Sequence, residues 1–143
     1  MLKNFNRAWQ IRFKGEWIIM VNRISRNDNL IVKRGDVFYA NLVGYGCVQG
    51  GLRPVVIISN DINNKFSNIV QIVPLTSQLK KCDLPVHVYI SEIKGVLTRD
   101  SLALVEQIQT IDKSSLESKK GSLPTNIIDK ICAAIRIQFG FAA

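Results

Sequence analysis

Two short stretches hold the side chains most able to do chemistry. The first is GCVQGGLRPVVIISND, residues 46–61, where glycines surround Gln49 and an Arg–Pro pair leads into an apolar run. Gly44, Gly46, Gly50 and Gly51 supply a loop that tolerates positive φ and lets backbone approach a ligand closely. Pro54 pushes the residue before it into extended backbone. Arg53 therefore stands at the mouth of a buried-looking strand, aimed by the pleat and with little side-chain bulk in front of it. A guanidinium there is permanently charged, planar and suited to phosphoryl oxygens. A hairpin loop beside a snorkelling edge arginine accounts for the same residues, so this stretch alone leaves both readings open.

The second stretch is VPLTSQ, residues 73–78. Pro74 interrupts a strand, and Thr76, Ser77 and Gln78 present three polar groups where it ends. Such a cluster can also do no more than satisfy backbone. The single histidine, His87 in LPVHVYI, is the tempting general base. Strand alternation sets Val86 and Val88 on one face and His87 with Tyr89 on the other, towards solvent or a ligand.

These groups must be positioned by a chain of 143 residues, long enough for one domain with a real core. Apolar residues make up 47% and charged residues 21%, a globular composition. The longest apolar runs are far too short to span a bilayer, so no membrane partner is expected. The apolar piece Trp17–Val21 is equally short for a secretory signal, and Glu16 and Asp28 oppose a mitochondrial presequence. Cys47, Cys82 and Cys132 are odd in number and never spaced as CxxC. With one histidine they give neither a zinc site nor a disulfide framework, and a reducing cytoplasm is the expected location.

The net charge of +8 is unevenly spread. Residues 1–34 carry +6, and residues 35–143 only +2. Bulk charge thus makes no case for nucleic acid beyond the N-terminal piece. The polar, turn-prone SRNDN near residues 25–31 marks a boundary, giving an N-terminal extension over 1–30 and a domain over 31–143. Met20 also offers an internal start, which would leave residues 1–19 untranslated.

Within the domain the pattern predicts strands at Asp36–Leu42, Pro54–Ser59, Ile69–Leu75, Val86–Ile90 and Leu102–Ile111. Asn60–Asp61 should cap a single helical turn reaching Lys65. Ile127, Ile131 and Ile135 recur at helical spacing, flanked by Ile128 and Cys132, with Pro124 near the start of that helix. Short strands with short connections favour an antiparallel sheet curled into a small barrel, a mainly β fold of the α+β class.

In their order along the chain, GDVFYANL, QGGLRPVVIISND, VPLTSQ, LPVHV and DSLALVEQIQTIDK resemble the MazF/PemK toxin endoribonucleases, from about Ile31 to Phe141. The resemblance implies an SH3-like (CcdB/PemK-type) antiparallel β-barrel with a C-terminal helix, acting as a homodimer. It implies cleavage of single-stranded mRNA at a short sequence, without cofactor or metal, and control by a cognate antitoxin with which the toxin binds DNA. By the same resemblance Arg53 and Thr76 are the catalytic pair. Gln49, Gly50, Gly51, Ser77, Gln78, Tyr45 and His87 are then expected to contact RNA, with Phe38, Tyr39 and Tyr45 as candidates for stacking on bases.

Three positions depart from the family pattern. Its loop commonly reads GSEQGG or GSEQAG, and here Cys47 and Val48 replace the Ser and the acid. Gln109 stands where QIRT has an Arg. These departures favour a non-catalytic RNA- or antitoxin-binding barrel as the first rival reading. A gyrase-poisoning toxin on the related fold is the second.

Overall fold

The computed structural model describes the backbone of residues 9–13 and 16–20, and residues 30–79 and 84–141 in full. The boundary expected near residues 25–31 and the thiol of Cys82 fall largely or wholly outside them. In the N-terminal piece β1 (Trp9–Phe13) and β2 (Glu16–Met20) pair antiparallel, from Trp9 opposite Met20 to Phe13 opposite Glu16. The sequence reading assigned no element there. Mixed aromatic and basic residues obscure the alternation.

The domain is built on β3 (Asp36–Leu42), β4 (Gly51–Ile57), β5 (Ile69–Thr76), β6 (His87–Ile90), β7 (Ser101–Leu104), β8 (Gln109–Asp112) and β9 (Leu116–Ser122). All their pairings are antiparallel, in the order β6-β7-β5-β4-β3-β9, with β8 also on β5. Helix α1 (Asp61–Phe66) follows β4, and α2 (Thr125–Gln138) closes the chain. A mainly β fold with a C-terminal helix is therefore as expected.

The central strands bury both faces, which explains their continuous apolar runs. Val56, Val73 and Leu75 join Val88, Ala103 and the α2 residues Ile128, Ile131 and Ala134 in one cluster. Val55, Ile57, Val70 and Ile72 turn the other way, into a cluster with Phe38, Ala40 and Leu116. Helix α2 is thus held by one stripe of side chains against one face of the sheet.

Two elements differ from the sequence reading. The strand expected over Leu102–Ile111 is two strands, β7 and β8, separated by a 3-10 turn at Val105–Gln107. Both lie along one edge of β5, β7 at its Leu75–Thr76 end and β8 at Ile69–Ile72, and the turn carries the chain from one to the other. Strand β9 was missed because LESKKGS is polar and charged. It is an edge strand with most side chains in solvent, and its lysines suit an unpaired edge.

The expected barrel is open in its hydrogen bonding. Among the described residues, β6 and β9 end the sheet order without pairing with each other. Side chains bridge the gap: a Cβ on Gly121 of β9 would lie 2.6 Å from Val96 Cγ2, in the loop after β6. The four-residue β6 and the solvated β9 offer little backbone for a continuous ladder.

Candidate active site

Arg53 and Thr76 are brought together by strand register. The β4–β5 ladder ends with Val55 opposite Pro74; Arg53 and Thr76 each lie two residues beyond that last pair, and both line the same two cavities. By the alternation of the pleat both project from the sheet face opposite α2. On the other side of β4, Arg53 pairs with Ala40, a residue with almost no side chain to fill the space.

Each group is already oriented. The Arg53 Nε–H donates to the Gly50 carbonyl at 2.8 Å, leaving the terminal nitrogens of the fork free of that bond. Thr76 is buried, and its Oγ1 accepts from the Gln78 N–H at 3.2 Å, which folds the chain sharply as β5 ends. Ser77 and Gln78 are exposed beyond it.

The glycine loop is held from two sides. Gly44 and Gly50 pack backbone on backbone at its neck: a Cβ on Gly44 would lie 2.4 Å from the carbonyl oxygens of both Val48 and Gln49. No side chain fits that contact without moving the backbone. Gly44→Ala is expected to lower unfolding stability by about 1–3 kcal/mol, read as a reduced midpoint in urea. From the other side Gln107 spans the loop, accepting from the Gln49 N–H at 2.7 Å and donating to the Cys47 carbonyl at 3.2 Å. Sequence reasoning missed Gln107; nothing in QIQTID or the residues before it marks a loop clamp.

Two cavities meet at this pair. One, of about 540 Å³, is lined by Tyr39, Arg53, Thr76, Gln78, Arg99 and Lys120 among others. The second, of about 650 Å³, shares Arg53, Thr76 and Gln78 and adds Gln49, His87, Glu106 and Gln107.

The remaining candidates separate. His87 does not face solvent as expected: its side chain is only 4% exposed, and its Nε2 lies 2.8 Å from Glu106 Oε1. The contact is at ion-pair distance but is not aligned as a hydrogen bond, and Nδ1 has no partner either. Pairing of β6 with β7 sets His87 opposite Leu104, beside the 3-10 turn that carries Glu106. Tyr89, on the same face, is exposed and donates to Asp100 at 2.6 Å. That hydroxyl, with the Glu92 N–H behind it, holds the Asp100 carboxyl below the ordinary aspartate range.

Of the aromatics, Phe38 is fully buried in the core and cannot stack on a base. Tyr45 is 94% exposed on the loop. Tyr39 lines the first cavity, with the Lys120 ammonium 5.0 Å from its ring centre. Val48 projects from the loop into solvent, while the Gln109 amide nitrogen is buried without a partner.

The Ser59–Asn60–Asp61 end of the long motif is structural. Ser59 Oγ donates to the Asn64 side chain at 2.5 Å and accepts from Gln71 N–H, while Asn60 caps α1 by accepting from Asn63 N–H. Buried Lys113 donates to the Asn64 carbonyl near the end of that helix. Burial pushes its ammonium below the ordinary lysine range. Among the described residues no three His, Cys, Asp or Glu side chains gather as metal ligands. No described helix is long and apolar enough to cross a membrane.

Residues 33–139 match the model of the PemK-like, MazF-like toxins of type II toxin-antitoxin systems. The chain belongs to this toxin family. It is 45% identical over 110 residues to the endoribonuclease EndoA of Bacillus subtilis, covering 76% of this toxin and 95% of that protein. To the endoribonuclease MazF of Staphylococcus saprophyticus it is 41% identical over 111 residues, covering 77% and 92%. Among solved structures, MazF of Deinococcus radiodurans superposes with a TM-score of 0.68 at 21% identity, over 78% of this toxin and 99% of that chain. A mycobacterial endoribonuclease in complex with its cognate antitoxin gives 0.61 at 23% identity, over 79% and 97%. At those identities the structural likeness speaks for the fold alone.

Proposed function

We propose that this toxin is a sequence-specific endoribonuclease that cuts single-stranded mRNA by attack of the ribose 2′-OH. The observation that carries the proposal is that Arg53 and Thr76, just past the end of the β4–β5 ladder, both line the two cavities, in a chain with close relatives named as endoribonucleases. RNA brings its own nucleophile, so the protein has only to align it with the neighbouring phosphorus and manage charge and protons. The 2′-oxygen bonds to phosphorus as the bond to the 5′-oxygen breaks; the products are a 2′,3′-cyclic phosphate and a 5′-OH. Arg53 holds the phosphoryl oxygens, whose charge is greatest in the transition state. The Thr76 hydroxyl, already accepting from Gln78, donates to a phosphate oxygen or to the leaving 5′-oxygen.

Gln49, Gln78, Ser77 and Tyr45 meet the flanking bases, with Gly50 and Gly51 keeping backbone close; His87 is a wall of the second cavity rather than a general base. Residues 31–143 form the toxin domain and 1–30 an extension. The toxin works as a cytoplasmic homodimer without a metal, and a cognate antitoxin covers the groove around Arg53. Purified protein incubated with RNA in EDTA, with product ends mapped, tests the reading; absence of any cut would refute it. Binding without cutting would favour the non-catalytic barrel, which the acid-free loop at Val48 supports.

Gln107 supplies a second check in the same assay. Because it clamps the loop whose Gly50 carbonyl aims Arg53, Gln107→Ala should lower kcat by about 10-fold, as a misplaced positioning group does. A change confined to KM would mean that Gln107 serves RNA binding instead.

A further inference from the structure

The two cavities that meet at Arg53 and Thr76 differ sharply in charge. Beside Glu106 and His87, the second is lined by the amides of Gln49, Gln78 and Gln107, and among the described residues Arg53 is its one full cation. The first contains Arg53, Arg99 and Lys120 and, among the described residues, no carboxylate. Its two outer cations come from separate parts of the chain. Lys120 is on β9, its ammonium over the Tyr39 ring, whereas the neighbouring Lys119 is paired with Asp36. Arg99 follows a tight turn closed by reciprocal Ile93–Leu97 backbone bonds of 3.0 and 2.8 Å.

The acid next to Arg99 is engaged elsewhere. Asp100 accepts from Tyr89 Oη at 2.6 Å and from Glu92 N–H at 2.8 Å, and among the described residues neither Arg99 nor Lys120 forms a salt bridge. Val96, in the same loop as Arg99, packs on Gly121 beside Lys120, which holds that loop against β9, and both cations line the one cavity. Two exposed cations lining one cavity with Arg53, with no counter-charge among its described lining side chains, are arranged to take a run of anions.

We propose that Arg99 and Lys120 form a second phosphate subsite, gripping the RNA backbone on one side of the cut only, while the strand on the other side enters the amide-lined cavity. The proposal rests on the reading of this toxin as an RNA-cleaving enzyme. It adds where the backbone is held and makes that grip one-sided. Phosphate contacts of this kind position a strand and carry no sequence information, so the nucleotides lying over Arg99 and Lys120 should be free to vary.

The test uses the full chain and a short single-stranded RNA with the mapped cut step at its centre. A deoxyribose at that step prevents consumption of the probe. Binding is measured across a salt series for the wild type, Arg99→Gln and Lys120→Gln, each checked by its unfolding midpoint. Each substitution should weaken binding roughly fivefold and flatten the slope of log K against log salt by about 0.7, as expected for one phosphate contact to a single strand. Arg99→Lys and Lys120→Arg should restore the slope. Removing a few nucleotides from one end of the RNA should abolish the effect of both substitutions, and removing them from the other end should not.

An unchanged slope in both Gln variants would overturn the subsite. So would an effect that survives, or disappears equally, on trimming either end. If the wild type cuts no RNA, the enzymatic reading fails, yet the salt slopes on an RNA of mixed sequence still decide whether Arg99 and Lys120 hold phosphate.

Discussion

Arg53→Ala should lower the rate of RNA cleavage by about 10³-fold without unfolding the protein, the scale of loss on removing a group that stabilises transition-state charge. The side chain is half-buried at the strand end rather than in the core, and among the described residues its one hydrogen bond is to the Gly50 carbonyl. Truncation therefore leaves one loop carbonyl short of a donor, next to solvent, while Val55, Val56 and Ile57 keep the strand in place. The loss should appear in kcat, because phosphoryl charge grows between ground and transition state. Arg53→Lys should recover only part of it: a lysine keeps the charge but lacks the planar fork and cannot make the Nε bond to Gly50. Single-turnover cleavage of one mapped RNA, compared among the three proteins at equal thermal stability, is the measurement. Full activity in Arg53→Ala would remove this arginine from the chemistry.

A single deoxyribose on the 5′ side of the cut step should reduce cleavage there below detection. The 2′-OH is held next to phosphorus by covalent connection, and such intramolecular alignment is worth roughly 7–11 kcal/mol relative to an unlinked attacker. Among the described residues, none replaces it. Cys47 is exposed on the loop, and the His87 ring is enclosed beside Glu106. The same substitution one nucleotide away should leave the cut intact, which separates a missing nucleophile from weakened binding. Continued cutting at the deoxy position would mean that water or a protein group attacks phosphorus, and the 3′ end would then not be cyclic.

Much of this site was legible from the chain alone, and for local reasons. The Gly-rich loop, Arg53 locked by Pro54 and the polar end of VPLTSQ announce themselves through backbone restrictions that act within a few residues. The Asn60 cap and the isoleucine stripe of α2 are equally local, and both formed as expected. Where the reading failed, side-chain character and position in the sheet disagreed. Strand β9 has the composition of a loop because its side chains lie in water, and only the neighbouring β3 makes it a strand. Phe38 is an aromatic near the site in sequence, but the pleat turns it into the core.

The division follows the range of the forces. Residue types, backbone restrictions and the family they identify were determined by the sequence itself: a guanidinium before a proline, a threonine at a strand end, a short capped helix. The tertiary structure decided what those groups meet. It brought Arg53 and Thr76 to the same two cavities past the end of the β4–β5 ladder, and placed Gln107 across the loop from 58 residues away. It buried His87 against Glu106 and brought Arg99 and Lys120 to one cavity. Each of these arrangements joins residues apart in the chain, and it is hydrogen-bonded register together with side-chain burial that gathers them at one site.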